Sequence, residues 1–202
     1  MRQNCKIALL SFVLVGWLGL ISVGVFELNQ YSYTPGAPES GLSDWPAKSS
    51  LIRQSDGRPT VVMFLHPKCP CSRASVDELA NLQTETTGLA KVVVLFLKPE
   101  SWSTAEVEGE LWKTVSLIPG VERRLDPKGT EASLFGAKTS GQVLVFDGEG
   151  QKVFSGGITA GRGEKGRSAG RNIISSYLKT GELERGKQLP VFGCSLLERH
   201  RS

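Results

Sequence analysis

Uncharged positions run without interruption from Ile7 to Phe26, IALLSFVLVGWLGLISVGVF. As a helix rising about 1.5 Å per residue, this stretch spans roughly 30 Å, the thickness of a bilayer core. It exceeds the apolar region of an ordinary signal peptide, about 7–15 residues. A removed signal peptide is the competing reading, with Ser22-Val23-Gly24 as a poor cleavage site. Arg2 and Lys6 precede the stretch, whereas Glu27, Glu39 and Asp44 follow it. The positive-inside rule therefore predicts a single-pass anchor over 7–26, a cytoplasmic N-terminus over 1–6 and a periplasmic or otherwise extracytoplasmic main domain. Residues 27–50, rich in Ser, Pro, Gly and Tyr and lacking an apolar period, read as a linker.

Pattern sets in over residues 51–182. Val61–Leu65 and Val92–Phe96 are short continuous apolar runs, the mark of strands buried on both faces of a parallel sheet. Between them, Pro70 to Thr84 carries Val76, Leu79, Ala80 and Leu82 at near-helical spacing. Thr104 to Leu117 reads as another helix, with Glu106, Glu108 and Glu110 near its positive end. A short strand over Val121–Leu125 and a short helix over Thr130–Phe135, ending at Gly136, follow. Gln142–Phe146 and Lys152–Phe154 flank Asp147-Gly148-Glu149-Gly150, a hairpin signal. A Gly- and Arg-rich loop, Gly156 to Gly170, leads to a last helix near Asn172–Lys179. The tail over 183–202 holds a small apolar cluster, Leu189 to Phe192, just before Cys194. This order predicts an α/β fold: a central, mostly parallel sheet with an antiparallel edge hairpin and flanking helices.

Composition narrows the function. A chain of 202 residues with 40% hydrophobic content is one domain plus attachments. A net charge of +4 without a basic run gives no support for nucleic-acid binding. Four cysteines are too few for a disulfide-dense mini-protein. The predicted topology leaves Cys5 on the cytoplasmic side as an incidental thiol and exports Cys69, Cys71 and Cys194 together. Disulfides form and persist there, and an odd number leaves at least one thiol unpaired within the chain.

The sharpest chemistry lies in His66-Pro67-Lys68-Cys69-Pro70-Cys71-Ser72-Arg73, where an apolar strand runs into a turn and two cysteines open a helix. Cys69 falls near the helix cap, and Pro70 suits the first helical position because its missing N–H has no intrahelical partner there. A helix N-terminus favours a thiolate, and Lys68 and Arg73 would add positive charge. His66 is either a partly buried histidine bonding backbone, or a base or metal ligand beside Cys69. His200 reads as exposed and silent, and Trp102 and Trp112 as core or rim residues. Gly156 to Arg167 lacks the phosphate-loop spacing. Its glycines permit tight turns, with Arg162 anchoring the loop; a nest binding an anion is the lesser reading.

At these residues the chain resembles the thioredoxin-like superfamily, and within it the membrane-anchored RedB-type proteins. The resemblance runs from Trp45 to Leu196. It rests on Trp45-Pro46, on His66 to Ser75, on Phe135 to Gln142, on Phe154 to Thr159, on Arg162-Gly163 and on Val191-Phe192-Gly193-Cys194. The usual resolving position holds Ser72 instead of cysteine, and Gly141 stands where thioredoxins carry the cis-proline that shapes the substrate groove and keeps metals from the thiols.

The cysteine pattern, set on the fold that the resemblance implies, predicts a membrane-anchored thiol–disulfide oxidoreductase acting on other envelope proteins, without a cofactor. Two cysteines near the helix and one on the tail suggest a relay in which Cys69 attacks and Cys71 or Cys194 resolves; a degenerate thioredoxin fold used as a scaffold is the blander reading. A purely structural Cys71–Cys194 bridge remains open. The alternative is a copper- or zinc-binding delivery protein without turnover, its donors drawn from Cys69, Cys71, Cys194 and His66.

Overall fold

The computed structural model describes residues 2–52, 56–183 and 186–196. His200 lies outside them, as does the side chain of Cys5. The chain divides into two compact units, 1–34 and 35–202. The first is a single helix, α1 (Arg2–Tyr33), whose part from Leu9 to Tyr33 is long and apolar enough to cross a membrane. It runs past the expected end at Phe26 because Glu27 to Tyr33 contain neither proline nor glycine to stop it.

The second unit is built on β1 (Thr60–Leu65), α2 (Ser72–Glu85), β2 (Lys91–Lys98), α3 (Thr104–Val107), α4 (Glu110–Ser116) and β3 (Val121–Pro127). It continues with α5 (Thr130–Leu134), β4 (Gln142–Phe146), β5 (Lys152–Gly156), α6 (Ala169–Thr180) and β6 (Lys187–Gln188). The strands form one sheet in the order β3-β2-β1-β4-β5-β6. β1 pairs parallel with β2 and β2 with β3, while β4 runs antiparallel to both β1 and β5. A parallel β1-α2-β2 half joined to an antiparallel β4-β5 hairpin and a closing helix is the thioredoxin-like arrangement.

The central strands are buried on both faces, which is why they read as unbroken apolar runs. Val61, Met63, Leu65, Val92, Val94 and Phe96 face the core shared with α2, α4 and α6. Val62, Phe64, Val93, Leu95, Leu144 and Phe146 face a second core with Leu51 and Phe135. The period of two in a pleated strand sorts neighbours to opposite faces.

Three expectations need correction. The helix expected over Thr104–Leu117 is two helices. Ser103 and Glu106 form a capping box on α3, and the extended backbone at Gly109 separates it from α4. Helix α2 begins at Ser72, with Cys71 as its N-cap, two residues later than expected from Pro70.

The third correction concerns the linker. From Gly36 onward, the segment expected as a free spacer is docked on the domain. Gly36 N donates to Val191 O (2.8 Å) and Trp45 N to Gly150 O (2.8 Å). Trp45 packs edge-on against Phe135 and Phe146, both with ring centroids 5.0 Å away. The Glu39 carboxylate and the Lys152 ammonium form a buried ion pair beneath this arm. Two aromatic contacts and a buried pair anchor an irregular chain without creating any periodic pattern.

Candidate functional site

The site lies where β1 turns into α2. Cys69 N donates to His66 O (3.0 Å) and Ser72 N to Cys69 O (3.1 Å), so the turn tightens before the helix begins. His66 is buried, and its N–H donates to Ser140 Oγ (2.7 Å). Its Nδ1 accepts from Lys68 N (3.2 Å), and its ring stands edge-on to Trp102. These contacts make His66 a turn-building residue, as the backbone-bonding reading expects. Ser140 Oγ also lies 2.8 Å from Ser72 Oγ, linking the turn to the loop before β4.

That loop ends at Gly141, which has φ +91° and donates its N–H to Phe64 O (2.8 Å). Proline is confined to φ near −65°, so it cannot occupy this conformation. A Cβ here would also come within 2.8 Å of Ser75 Oγ. The departure from the thioredoxin pattern at this position is therefore built into the backbone.

The C-terminal tail closes over the turn. Leu189 N donates to Ser155 O (2.9 Å) and Gly157 N to Pro190 O (3.1 Å). Ser140 N donates to Cys194 O and Leu196 N to Lys138 O, both at 2.8 Å, and Thr139 bridges Ser195 antiparallel. Val191, Phe192 and Leu196 are buried, as expected of a docking cluster. Arg162 Nη1 donates to Gly193 O (2.6 Å), so the Gly-rich loop is anchored through Arg162 and clamps the tail in turn.

This places the sulfurs of Cys69 and Cys194 2.6 Å apart. All three thiols meet here, but unequally. Cys69 and Cys71 are only 4% and 8% exposed, whereas Cys194 is half-buried. Burial pushes the Cys69 thiol up. Hydrogen bonds from the Cys194 side chain and backbone, from Ser72 and from the Cys71 N–H outweigh it and hold Cys69 below its ordinary value. Burial and the neighbouring Cys69 charge push Cys71 up, partly offset by Arg162. Cys194 is pushed up to about 12 by burial and by its contact with Cys69. Of the three thiols, Cys69 is thus the one most readily ionised, beside two whose ionisation is disfavoured.

The cations expected to bias Cys69 are engaged elsewhere. Arg73 pairs with Glu110 on the surface (2.6 Å), and Lys68 Nζ sits 3.9 Å from the centre of the Trp102 ring. Arg162 is the guanidinium that lowers the thiols, acting on Cys71 and Cys194. Ser72 and Ser140 are functional residues that sequence reasoning missed. Ser72 carried a signal, since it stands in the usual resolving position. The loop bearing Arg162 is held by Glu78 of α2, which accepts from Gly166 N (2.6 Å) and from Arg171 Nη1 of α6 (2.6 Å).

No group of three or more His, Cys, Asp or Glu side chains among the described residues is arranged to hold a metal ion. His66 is turned toward Lys68 N and Trp102. Two thiolates sharing a tetrahedral ion at about 2.3 Å each would stand roughly 3.7 Å apart. At 2.6 Å, the sulfurs of Cys69 and Cys194 stand closer than that, in direct contact with each other.

Fold and site define a thioredoxin-like domain with a three-thiol centre completed by its tail. No family model and no curated protein matches the chain. Among solved structures it is similar to a hypothetical protein from Sinorhizobium meliloti, with 20% identity and a TM-score of 0.57 over 82% of this chain and 95% of that one. It is also similar to a conserved protein from Geobacillus kaustophilus, with 18% identity and a TM-score of 0.58 over 84% and 95%. An exposed lipoprotein thioredoxin from Streptococcus pneumoniae matches with 18% identity and a TM-score of 0.47 over 68% and 97%.

Proposed function

We propose that this chain is a membrane-anchored, extracytoplasmic thiol–disulfide oxidoreductase of RedB type, with Cys69 and Cys194 as its redox couple and other envelope proteins as its partners. The observation that carries this reading is the contact between the two sulfurs, of which Cys69 is held below the ordinary thiol value by its hydrogen bonds. A thiolate beside a second thiol is the reduced half of a disulfide couple. Oxidation by an external disulfide joins the two sulfurs and transfers two electrons to that oxidant, and reduction restores the pair. Cys71 is the third thiol of the site, held protonated beside Cys69. Helix α1 supplies the anchor, with Arg2 and Lys6 at its cytoplasmic end. Copper or zinc delivery, the alternative drawn from the sequence, would draw on the same three thiols, Cys69, Cys71 and Cys194, and on the same fold.

The test equilibrates the full chain in detergent micelles across a series of reduced and oxidised glutathione, quenches in acid and maps linkages by peptide mass. One reversible bridge joining Cys69 and Cys194 is the expected result. Thiols that stay reduced throughout, or a bridge that never opens, would overturn the reading.

A further inference from the structure

The buried member of the couple and the more exposed one are different residues. Cys69 lies beneath the tail at 4% exposure, packed under a segment whose Val191, Phe192 and Leu196 are buried and whose backbone is bonded to Ser140, Lys138 and Gly157. A partner protein cannot bring a sulfur in line with Cys69 while that segment is seated. Cys194 is half-buried, the least buried of the three cysteines that meet here. Disulfide exchange needs the attacking sulfur to approach along the S–S axis, opposite the leaving sulfur. With Cys69 inside, the open end of that axis is at Cys194.

Resting on the redox couple proposed above, the geometry points to Cys194 as the sulfur at which partner proteins exchange, with Cys69 as the buried leaving group. Once an external disulfide has closed the bridge, a partner dithiol supplies the attacking thiolate. Its sulfur bonds to Cys194 Sγ, the Cys194–Cys69 bond breaks, and the electron pair stays on Cys69 as thiolate. The partner's second thiol then loses its proton and attacks the partner sulfur of the mixed disulfide. This forms the partner's disulfide and releases Cys194, which takes up a proton. The partner has lost two electrons and the bridge has gained them.

One feature of the site favours this division of labour. A thiolate leaving at Cys69 is met by Ser72, by the Cys71 N–H and by the Cys194 N–H, and a stabilised thiolate leaves faster. This inverts the expectation that the first cysteine of the helix turn meets the partner.

The test uses the unmodified full chain in detergent, first oxidised, then mixed briefly with excess reduced glutathione and quenched in acid. Peptide mass then locates the glutathione adduct. The expected result is an adduct on Cys194 at least tenfold more abundant than on Cys69 or Cys71, with Cys69 released as a thiol in the same molecules. An adduct predominantly on Cys69 or Cys71 would overturn the inference and leave the redox couple standing. A chain that forms no Cys69–Cys194 bridge during the initial oxidation, or a bridge that stays closed under excess glutathione, would instead refute the redox couple itself, so the two failures are distinguishable.

Discussion

Gly193 lies against the carbonyl of Ser140 with no space for a side chain: a Cβ on residue 193 would come within 1.9 Å of that oxygen. The obstacle is backbone, held in place by the adjoining bonds to the tail, so it cannot swing aside. Glycine at 193 is what allows Cys194 to reach Cys69.

Gly193→Ala therefore lifts the tail without touching a thiol. A cost of about 1.4 kcal/mol or more on the docked tail lowers the equilibrium for closing the bridge at least tenfold. The Cys69–Cys194 linked peptide across a glutathione series measures this, and alkylation of Cys194 should quicken by a similar factor. An unchanged linkage curve would show that the tail docks independently of this contact.

Arg162→Gln removes both the clamp on Gly193 O and the positive charge that lowers Cys71 and Cys194. Cys194 should then be alkylated several-fold faster through loosening of the tail. Cys71 should titrate still higher. Reactivity against pH, followed separately for each cysteine peptide, separates the two effects.

The three thiols predict a pH dependence with opposite signs. Cys69 is held below its ordinary value, so the folded chain gives up this proton first and gains stability as pH rises toward that ordinary value. Cys194, raised from 9.0 to about 12, works the other way. Its contribution is complete below about pH 9 and is lost as pH climbs toward 12. Thiolate absorbance of the reduced chain should show one early titration that Cys69→Ser abolishes. Denaturant midpoints should fall on the alkaline side, less steeply in Cys194→Ser.

Glu78→Ala leaves the buried Arg171 with only the more distant, half-exposed Glu85 carboxylate (3.8 Å) and frees Gly166 N. Breaking a buried pair by removing one member costs about 3–5 kcal/mol. For a chain of this size that corresponds to a fall in Tm of roughly 6–20 °C. Thermal melting in detergent measures it. The double variant Glu78→Leu with Arg171→Met should recover most of the loss, because no uncompensated charge then remains.

The elements that could be read in advance are those whose cause is local. Val61–Leu65 and Val92–Phe96 are apolar on every residue because both faces of the sheet are covered, and Asp147 to Gly150 marks its own turn. The pair Cys69 and Cys71 announced itself by lying between a strand and a helix. Spacing along the chain did not reveal direction, and so Lys68 and Arg73 were expected at the thiolate while their side chains turn to Trp102 and Glu110. Arg162 reaches the thiols only because Glu78 and Arg171 seat its loop, a relation spanning 93 residues between the paired charges. The docked arm was illegible for a related reason: it is held by single anchors such as Trp45 and Leu51, which leave no period to detect.

Cys69 and Cys194 stand 125 residues apart in the chain. Synthesis at about 5–20 residues per second separates their appearance by roughly 6–25 s. Through that interval the growing chain carries Cys69 and Cys71 without the tail that buries them, in a compartment proposed to be oxidising. Any bridge closed in that interval joins neighbours or a foreign thiol, and only exchange can then carry it to the proposed pairing with Cys194. The tail that completes the site is thus also what the site must wait for.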